Sequence, residues 1–198
     1  MDRLLLVRHA TSPGTRRAIF PATTGACASD QCEPLDRAGE EQAARLGAVL
    51  PPADHCWASF AVRALQTARL AGLDPEPLAT LAECDFGRWA GMALTEVDDA
   101  DAMMGWYADP DTTPHGGERF VDVRQRAEKV LRSAREAGGT VIAFTHGGLI
   151  KAALVEALGL GSGAVWRLDA APASVTEMHP VGGGWRVVRV NWTPGTLR

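Results

Sequence analysis

The sequence is short of the features that mark several large classes of protein. Four cysteines stand among 198 residues, and none of them (Cys27, Cys32, Cys56, Cys84) forms a C-x-x-C pair, so the common zinc and thioredoxin patterns are absent. Cys27 and Cys32 are close enough to be oxidised together, although a reducing compartment keeps such residues as thiols. The histidines (His9, His55, His115, His146, His179) show no metal-ligand spacing, and neither a metal nor another cofactor is expected. No apolar run reaches membrane-spanning length, so no membrane partner is expected. The apolar core of the opening MDRLLLVRHA is too short for a signal peptide. A basic excess is also missing. The formal charge of −4 argues against a nucleic-acid partner, yet leaves room for a positive pocket that takes a small anion. Repeats and interdomain linkers are lacking. The expectation is one cytoplasmic domain over residues 1–198, whose 46% hydrophobic and 22% charged content suits a globular chain with a real core.

What is present is an alternation of strands and helices. Leu4 to Val7 is a strand-sized apolar run, buried on both faces, that ends in Arg8-His9. Thr11 to Glu33 is a long irregular stretch containing Arg16 and Arg17, of a length that is usually either functional or disordered, and following Arg8-His9 it is expected to rim the site. Asp36 is a good N-cap for a helix over Ala43, Leu46, Val49 and Leu50, stopped by Pro51-Pro52. A short strand at Cys56–Ser59 precedes a helix from about Ala61 to Ala71, closed by Gly72. Leu78 to Gly91 reads as irregular. Thr95 to Tyr107 is a weak helix with Thr95 and Asp98 spaced like a capping box, and Asp109 to Gly117 is a loop. Phe120, Val123, Ala127, Val130, Leu131 and Ala134 then form the apolar stripe of the strongest helix, up to Gly138-Gly139. Thr140 to Thr145 is a second buried strand. It delivers His146-Gly147-Gly148 to the start of a helix that runs to Gly159. Strands near Ser174–His179 and Trp185–Asn191 form a hairpin across Gly182-Gly183-Gly184. This order predicts an α/β fold with a largely parallel sheet.

Parallel strands bring their carboxyl ends to one edge, where α/β sheets bind ligands. Arg8, His9 and His146 fall there, and the helix opened by Gly147-Gly148 aims free amides at the same place, a ready anion site. Arg63, in the first turn of the helix after the short strand, comes in beside them. Glu83 can supply a carboxyl group from its loop.

In the family's own order, these segments resemble the histidine phosphatase superfamily, the phosphoglycerate mutase-like enzymes. Arg8-His9-Ala10-Thr11-Ser12 is similar to the opening R-H-G/A-x-T/S. Pro34 to Ala43 resembles P-L-T-x-x-G-x-x-Q-A, and Ser59 to Ala68 resembles S-x-x-x-R-A-x-Q-T-A. Leu81, Glu83, Phe86-Gly87, Trp89 and Gly91 match the phosphatase-like L-x-E-x-x-F-G-x-W-x-G. Pro114 to Glu118 matches P-x-G-E with one added residue, and Thr145 to Gly148 matches the closing S/T-H-G-G. The Glu83 loop looks like that of the hydrolases, including the α-ribazole phosphatases, and the insertions of the glycolytic mutases are lacking.

The resemblance implies a three-layer α/β/α sandwich and a phosphomonoester hydrolase acting on a small phosphorylated metabolite. His9 would be the nucleophile. Arg8, Arg63 and a protonated His146 would surround the phosphoryl oxygens, and Glu83 would serve the leaving group and then water. Thr15, near the place of a phosphate-binding Asn in relatives, and the Gly147 amide would be further phosphate donors. Taken alone, each residue has a plainer reading. Arg63 would be an ion-pair partner, His146 a satisfied buried histidine, Glu83 or its rival Asp85 a loop cap, Trp89 a core residue and Glu118 a helix cap. Phe20 to Gln31 is expanded relative to relatives, so specificity transfers least. A mutase, a phosphoprotein phosphatase, a non-hydrolytic enzyme and a phosphate-sensing module stay open on the same fold, as does a homodimer.

Overall fold

Leu4 to Val7 alternates its side chains across a sheet, and both faces are covered. In the computed structural model, which describes residues 2–21 and 33–194, strand β1 (Arg3–Arg8) buries all four of these residues. Leu4 and Leu6 pack with α5 (Phe120–Ala137) and α6 (Gly147–Ala157). Leu5 and Val7 pack on the opposite face with Leu35 and with Ala43 and Leu46 of α2 (Arg37–Gly47). Ala68 of α3 (Val62–Leu70) joins that second cluster. The period of two along one strand therefore fills two cores. Each large aliphatic or aromatic side chain fully buried there contributes about 1.5–3 kcal/mol.

The six-stranded sheet has the order β3-β2-β4-β1-β5-β6. Strands β3 (Glu76–Pro77), β2 (His55–Ala58), β4 (Thr140–Thr145) and β1 are paired in parallel. Strand β5 (Val175–Val181) runs antiparallel to β1 and forms the expected hairpin with β6 (Gly184–Trp192). The turn places Gly182 at φ +53°, a left-handed conformation that favours glycine. The three-layer sandwich and mostly parallel sheet agree with the sequence.

Several local expectations change. The loop after β1 contains one helical turn, α1 (Pro13–Arg16), with Ser12 as N-cap accepting from the Thr15 amide. Asp36 does cap α2, accepting from Gly39 N at 2.8 Å, but the helix ends at Gly47, short of Pro51. A Cβ on Gly47 would lie 2.7 Å from the Ala71 carbonyl oxygen, so glycine permits the close approach of α2 and α3. Helix α4 (Ala100–Ala108) starts five residues after Thr95. Its N-cap is Asp99, whose side chain accepts from Ala102 N, and the Thr95–Asp98 box does not form. Glu118 does not cap α5; Arg119 occupies that position without a side-chain bond. Cys27 and Cys32 lie outside the described residues, as does most of the expanded Phe20–Gln31 segment.

Candidate active site

Parallel register creates the site. Arg8 stands opposite Thr145, so the next residues, His9 and His146, lie side by side with ring centroids 5.1 Å apart. Arg63 enters from the first turn of α3 and bridges them. Its Nε donates to His9 Nε2 at 3.2 Å, and its Nη2 lies 3.3 Å from His146 Nδ1. All three are nearly inaccessible, at 4%, 3% and 1% exposure for His9, Arg63 and His146. Thr67 ties α3 to the strand end by accepting from Ala10 N and donating to the Arg63 carbonyl.

These contacts fix both tautomers. A guanidinium has only donors and a carbonyl only accepts. His9 Nδ1, 2.8 Å from the Ala10 carbonyl oxygen, therefore carries the hydrogen, and its Nε2 presents a lone pair toward Arg63. His146 accepts at Nδ1 and donates from Nε2 to Ser59 Oγ at 2.9 Å. Burial first, then the positive charge of Arg63, holds both imidazoles well below the usual histidine value. Burial and Arg63 thus oppose the protonated His146 that the resemblance implies. A phosphoryl dianion between these groups would supply the missing countercharge.

Arg8 is anchored by a bond from Nη1 to the Ala170 carbonyl. Glu83 follows the 3₁₀ turn Ala79–Leu81, which Thr145 Oγ1 holds by donating to the Leu81 carbonyl at 2.7 Å. Its carboxylate accepts from Cys84 N at 2.9 Å and from Gly148 N at 3.2 Å. Asp85, the rival, instead caps its own loop by accepting from Gly87 N. Trp89 is a core residue at 2% exposure, in contact with Phe20, Trp106 and His115.

Two cavities share Arg8 and Glu83 as walls. The smaller, about 100 Å³, is lined by Arg8, His9, Ser12, Thr15, Arg63 and Glu83 among others. It is polar and has room for several water molecules. Thr15 is therefore brought to the site, with its hydroxyl 2.9 Å from Ser12 Oγ. Gly147 lines the larger cavity, about 200 Å³, and lies against Arg8: a Cβ there would sit 3.5 Å from its guanidinium. The seven residues singled out from the sequence thus converge.

Others were missed. Glu33, at the end of the long loop, lines the small cavity and accepts from Ser12 Oγ at 2.9 Å and Gly14 N at 2.6 Å. Arg126 on α5 donates to the carbonyls of Ala82 and Glu83 and pairs with Glu118 at 2.7 Å, bracing the Glu83 loop. That pairing is the role of Glu118. Lys151 on α6 lines the larger cavity. Only Lys151 had an available signal, since it falls one helical turn after Gly147. Among the described residues no group of three or more His, Cys, Asp or Glu side chains is placed to hold a metal ion. No helix there is long and apolar enough to cross a membrane.

The chain is 36% identical over 129 residues to a protein of Mycobacterium tuberculosis called a bifunctional protein, covering 60% of this chain and 34% of that one. It is 35% identical over 113 residues to a glucosyl-3-phosphoglycerate phosphatase of Mycolicibacterium vanbaalenii, covering half of each. The chain thus spans only about a third to a half of the length of these relatives. A solved structure of a mycobacterial glucosyl-3-phosphoglycerate phosphatase in complex with VO3 superposes with a TM-score of 0.81 at 25% identity, over 96% of this chain and 99% of that one. The family described as histidine phosphatase superfamily (branch 1) matches residues 4–193. With Arg8, His9, Arg63 and His146 gathered at one sheet edge, the chain belongs to that superfamily.

Proposed function

We propose that the chain is a phosphomonoester hydrolase that acts on a small phosphorylated metabolite through a phosphohistidine at His9. The observation that carries this reading is the orientation of His9. Its Nδ1 hydrogen is committed to the Ala10 carbonyl and its Nε2 lone pair faces Arg63, so the nucleophile needs no prior deprotonation.

In the first step the Nε2 lone pair forms a bond to phosphorus while the ester P–O bond breaks. The Glu83 carboxyl group gives its proton to the departing oxygen, which leaves as an alcohol. Arg8, Arg63 and the Thr15 hydroxyl take up the charge on the phosphoryl oxygens, joined by the Gly147 amide from the larger cavity where it adjoins Arg8, and His146 adds a donor once the dianion is in place. In the second step water attacks phosphorus, Glu83 accepts its proton, and the P–N bond breaks to give inorganic phosphate and neutral His9. Glu83 suits both steps because it borders both cavities. The phosphoryl group fits the small polar one and the leaving group the larger. The phosphatase names of relatives and the vanadium oxyanion bound by one of them support the same reading.

Turnover of phenyl phosphate and trapping of acid-labile phosphohistidine test it. Wild type should release phosphate and label on His9, and His9→Ala should do neither. Phosphate release that persists in His9→Ala, or wild type that binds phosphate without turnover, would refute the assignment. Conversion of 3-phosphoglycerate without phosphate release would redirect it to a mutase.

A further inference from the structure

The larger cavity differs in kind from the one beside His9. Phe86, Trp106, Phe120 and Trp166 give it apolar and aromatic walls. The rings of Trp106 and Trp166 meet edge to face at 4.8 Å, and those of Phe86 and Trp106 at 6.1 Å. Rings in edge-to-face contact make a continuous aromatic wall, and the slot beside it suits a planar or compact apolar group.

Four charged side chains border this slot, and three have assigned tasks. Arg8 and Glu83 belong to the reacting centre, and Glu118 is neutralised by Arg126 at 2.7 Å. Lys151 is the fourth. It is half-buried on α6, and among the described residues no carboxylate lies within ion-pair distance of it. Burial pushes its ammonium below the usual lysine value, with Arg8 adding to the effect and Asp169 and Glu83 opposing it. A cation in such a place is costly until an anion joins it.

Helix geometry sets the reach. Gly147, Gly148 and Lys151 line the same cavity, and Lys151 lies one turn, roughly 6 Å along the axis, beyond Gly147. We infer that Lys151 selects substrates whose leaving group combines an apolar or planar body, packed against Trp106 and Trp166, with a carboxylate a few bonds from the ester oxygen. The inference rests on the hydrolase reading for the position of the phosphoryl group. It names the class of leaving group that the reading leaves open.

The test measures binding of benzylphosphonate and its three ring-carboxylated isomers by titration calorimetry. None of the four has an ester to hydrolyse, so binding is separated from turnover. In wild type at least one isomer should bind about tenfold more tightly than the parent, the gain of one charge-assisted hydrogen bond in a partly desolvated site. Lys151→Arg should keep that ratio within a few-fold, and Lys151→Met should bring it near one. Each ratio is taken within one protein, so a reduced folded fraction does not imitate the effect. Equal binding of all four compounds by wild type, failure of all four to bind, or a preference that survives Lys151→Met would overturn the inference. Phenyl phosphate turnover without a carboxylate preference would overturn it alone. Carboxylate preference dependent on Lys151, with no ester turned over, would sustain the Lys151 subsite and overturn the hydrolase reading.

Discussion

Gly148→Ala should disable leaving-group protonation while leaving the fold intact. Gly148 occupies the second position of α6, where the backbone is helical and alanine costs nothing in conformation. Helix propensity favours alanine there by up to about 1 kcal/mol, which offsets part of any loss from the displaced carboxylate, so the protein should stay folded with a melting temperature close to that of wild type. The added methyl, however, would stand 2.2 Å from Glu83 Oε1. Optimal contact between such atoms lies near 3.5 Å, so the carboxylate must withdraw by about 1 Å or more. Its bonds to Cys84 N and Gly148 N would be strained or lost. Misplacing a catalytic group by that distance costs on the order of 100-fold, within the roughly 10²–10⁴ range for general acid catalysis. The assay compares kcat/KM, which reports the steps through phosphoryl transfer, for an alkyl phosphate and for 4-nitrophenyl phosphate. The alkyl ester, whose leaving alkoxide needs a proton, should lose roughly 100-fold, and the nitrophenyl ester far less. Equal losses for both esters, or full alkyl phosphatase activity with a normal melting temperature, would refute the role given to Glu83.

The buried pair His9 and His146 should also make stability pH-dependent. Burial and Arg63 depress both pKa values in the folded state, so below pH about 6.5 the unfolded chain binds more protons than the folded one. The stability they support is complete above that pH and is lost as pH falls below it, with a limiting slope of about 1.4 kcal/mol per pH unit for each histidine. Urea unfolding between pH 8 and 5 should show this slope, and ring ¹⁵N shifts should show both imidazoles neutral at pH 6; protonation of either near 6.5 would contradict the structure. Arg126→Met should cost about 1–3 kcal/mol, less than a fully buried pair because Arg126 and Glu118 are each one-fifth exposed. It should lower alkyl phosphate turnover more than nitrophenyl phosphate turnover, because the Ala82 and Glu83 carbonyls lose their donor. Equal effects on the two esters would reduce Arg126 to a purely structural residue.

The fold was legible where local pattern and tertiary demand coincide. Leu4–Val7 and Val141–Phe144 are apolar throughout because helices cover both faces of β1 and β4, and an apolar run needs no context to be read. The stripe from Phe120 to Ala134 was equally plain, since all six of its apolar residues are buried in α5. Helix α4 was misplaced because Thr95 and Asp98 satisfy a capping pattern on spacing alone. The chain instead turns once at Leu94–Glu96, with the Ala93 amide donating to Glu96, and begins its helix at Asp99. Capping is decided by which carboxylate can reach which amide, and that depends on the path of the preceding chain.

The site divides along the same line. Arg8, His9, Arg63 and His146 stand at element ends whose positions follow from parallel register, and Arg8 facing Thr145 is enough to bring the two rings together. What surrounds the leaving group has no such rule. Trp106 comes from α4, Trp166 from the 3₁₀ segment Ser162–Arg167, and Lys151 from the second turn of α6. Their meeting depends on two irregular connections whose lengths carry no periodic signal. Chemistry common to a family is held by the sheet, which tolerates little variation in register. Choice of leaving group is held by loops, which tolerate much. The phosphoryl half of the cavity therefore follows from the motifs, and the half that selects a substrate follows only from seeing Lys151 at the edge of an aromatic slot with no ion pair among the described residues.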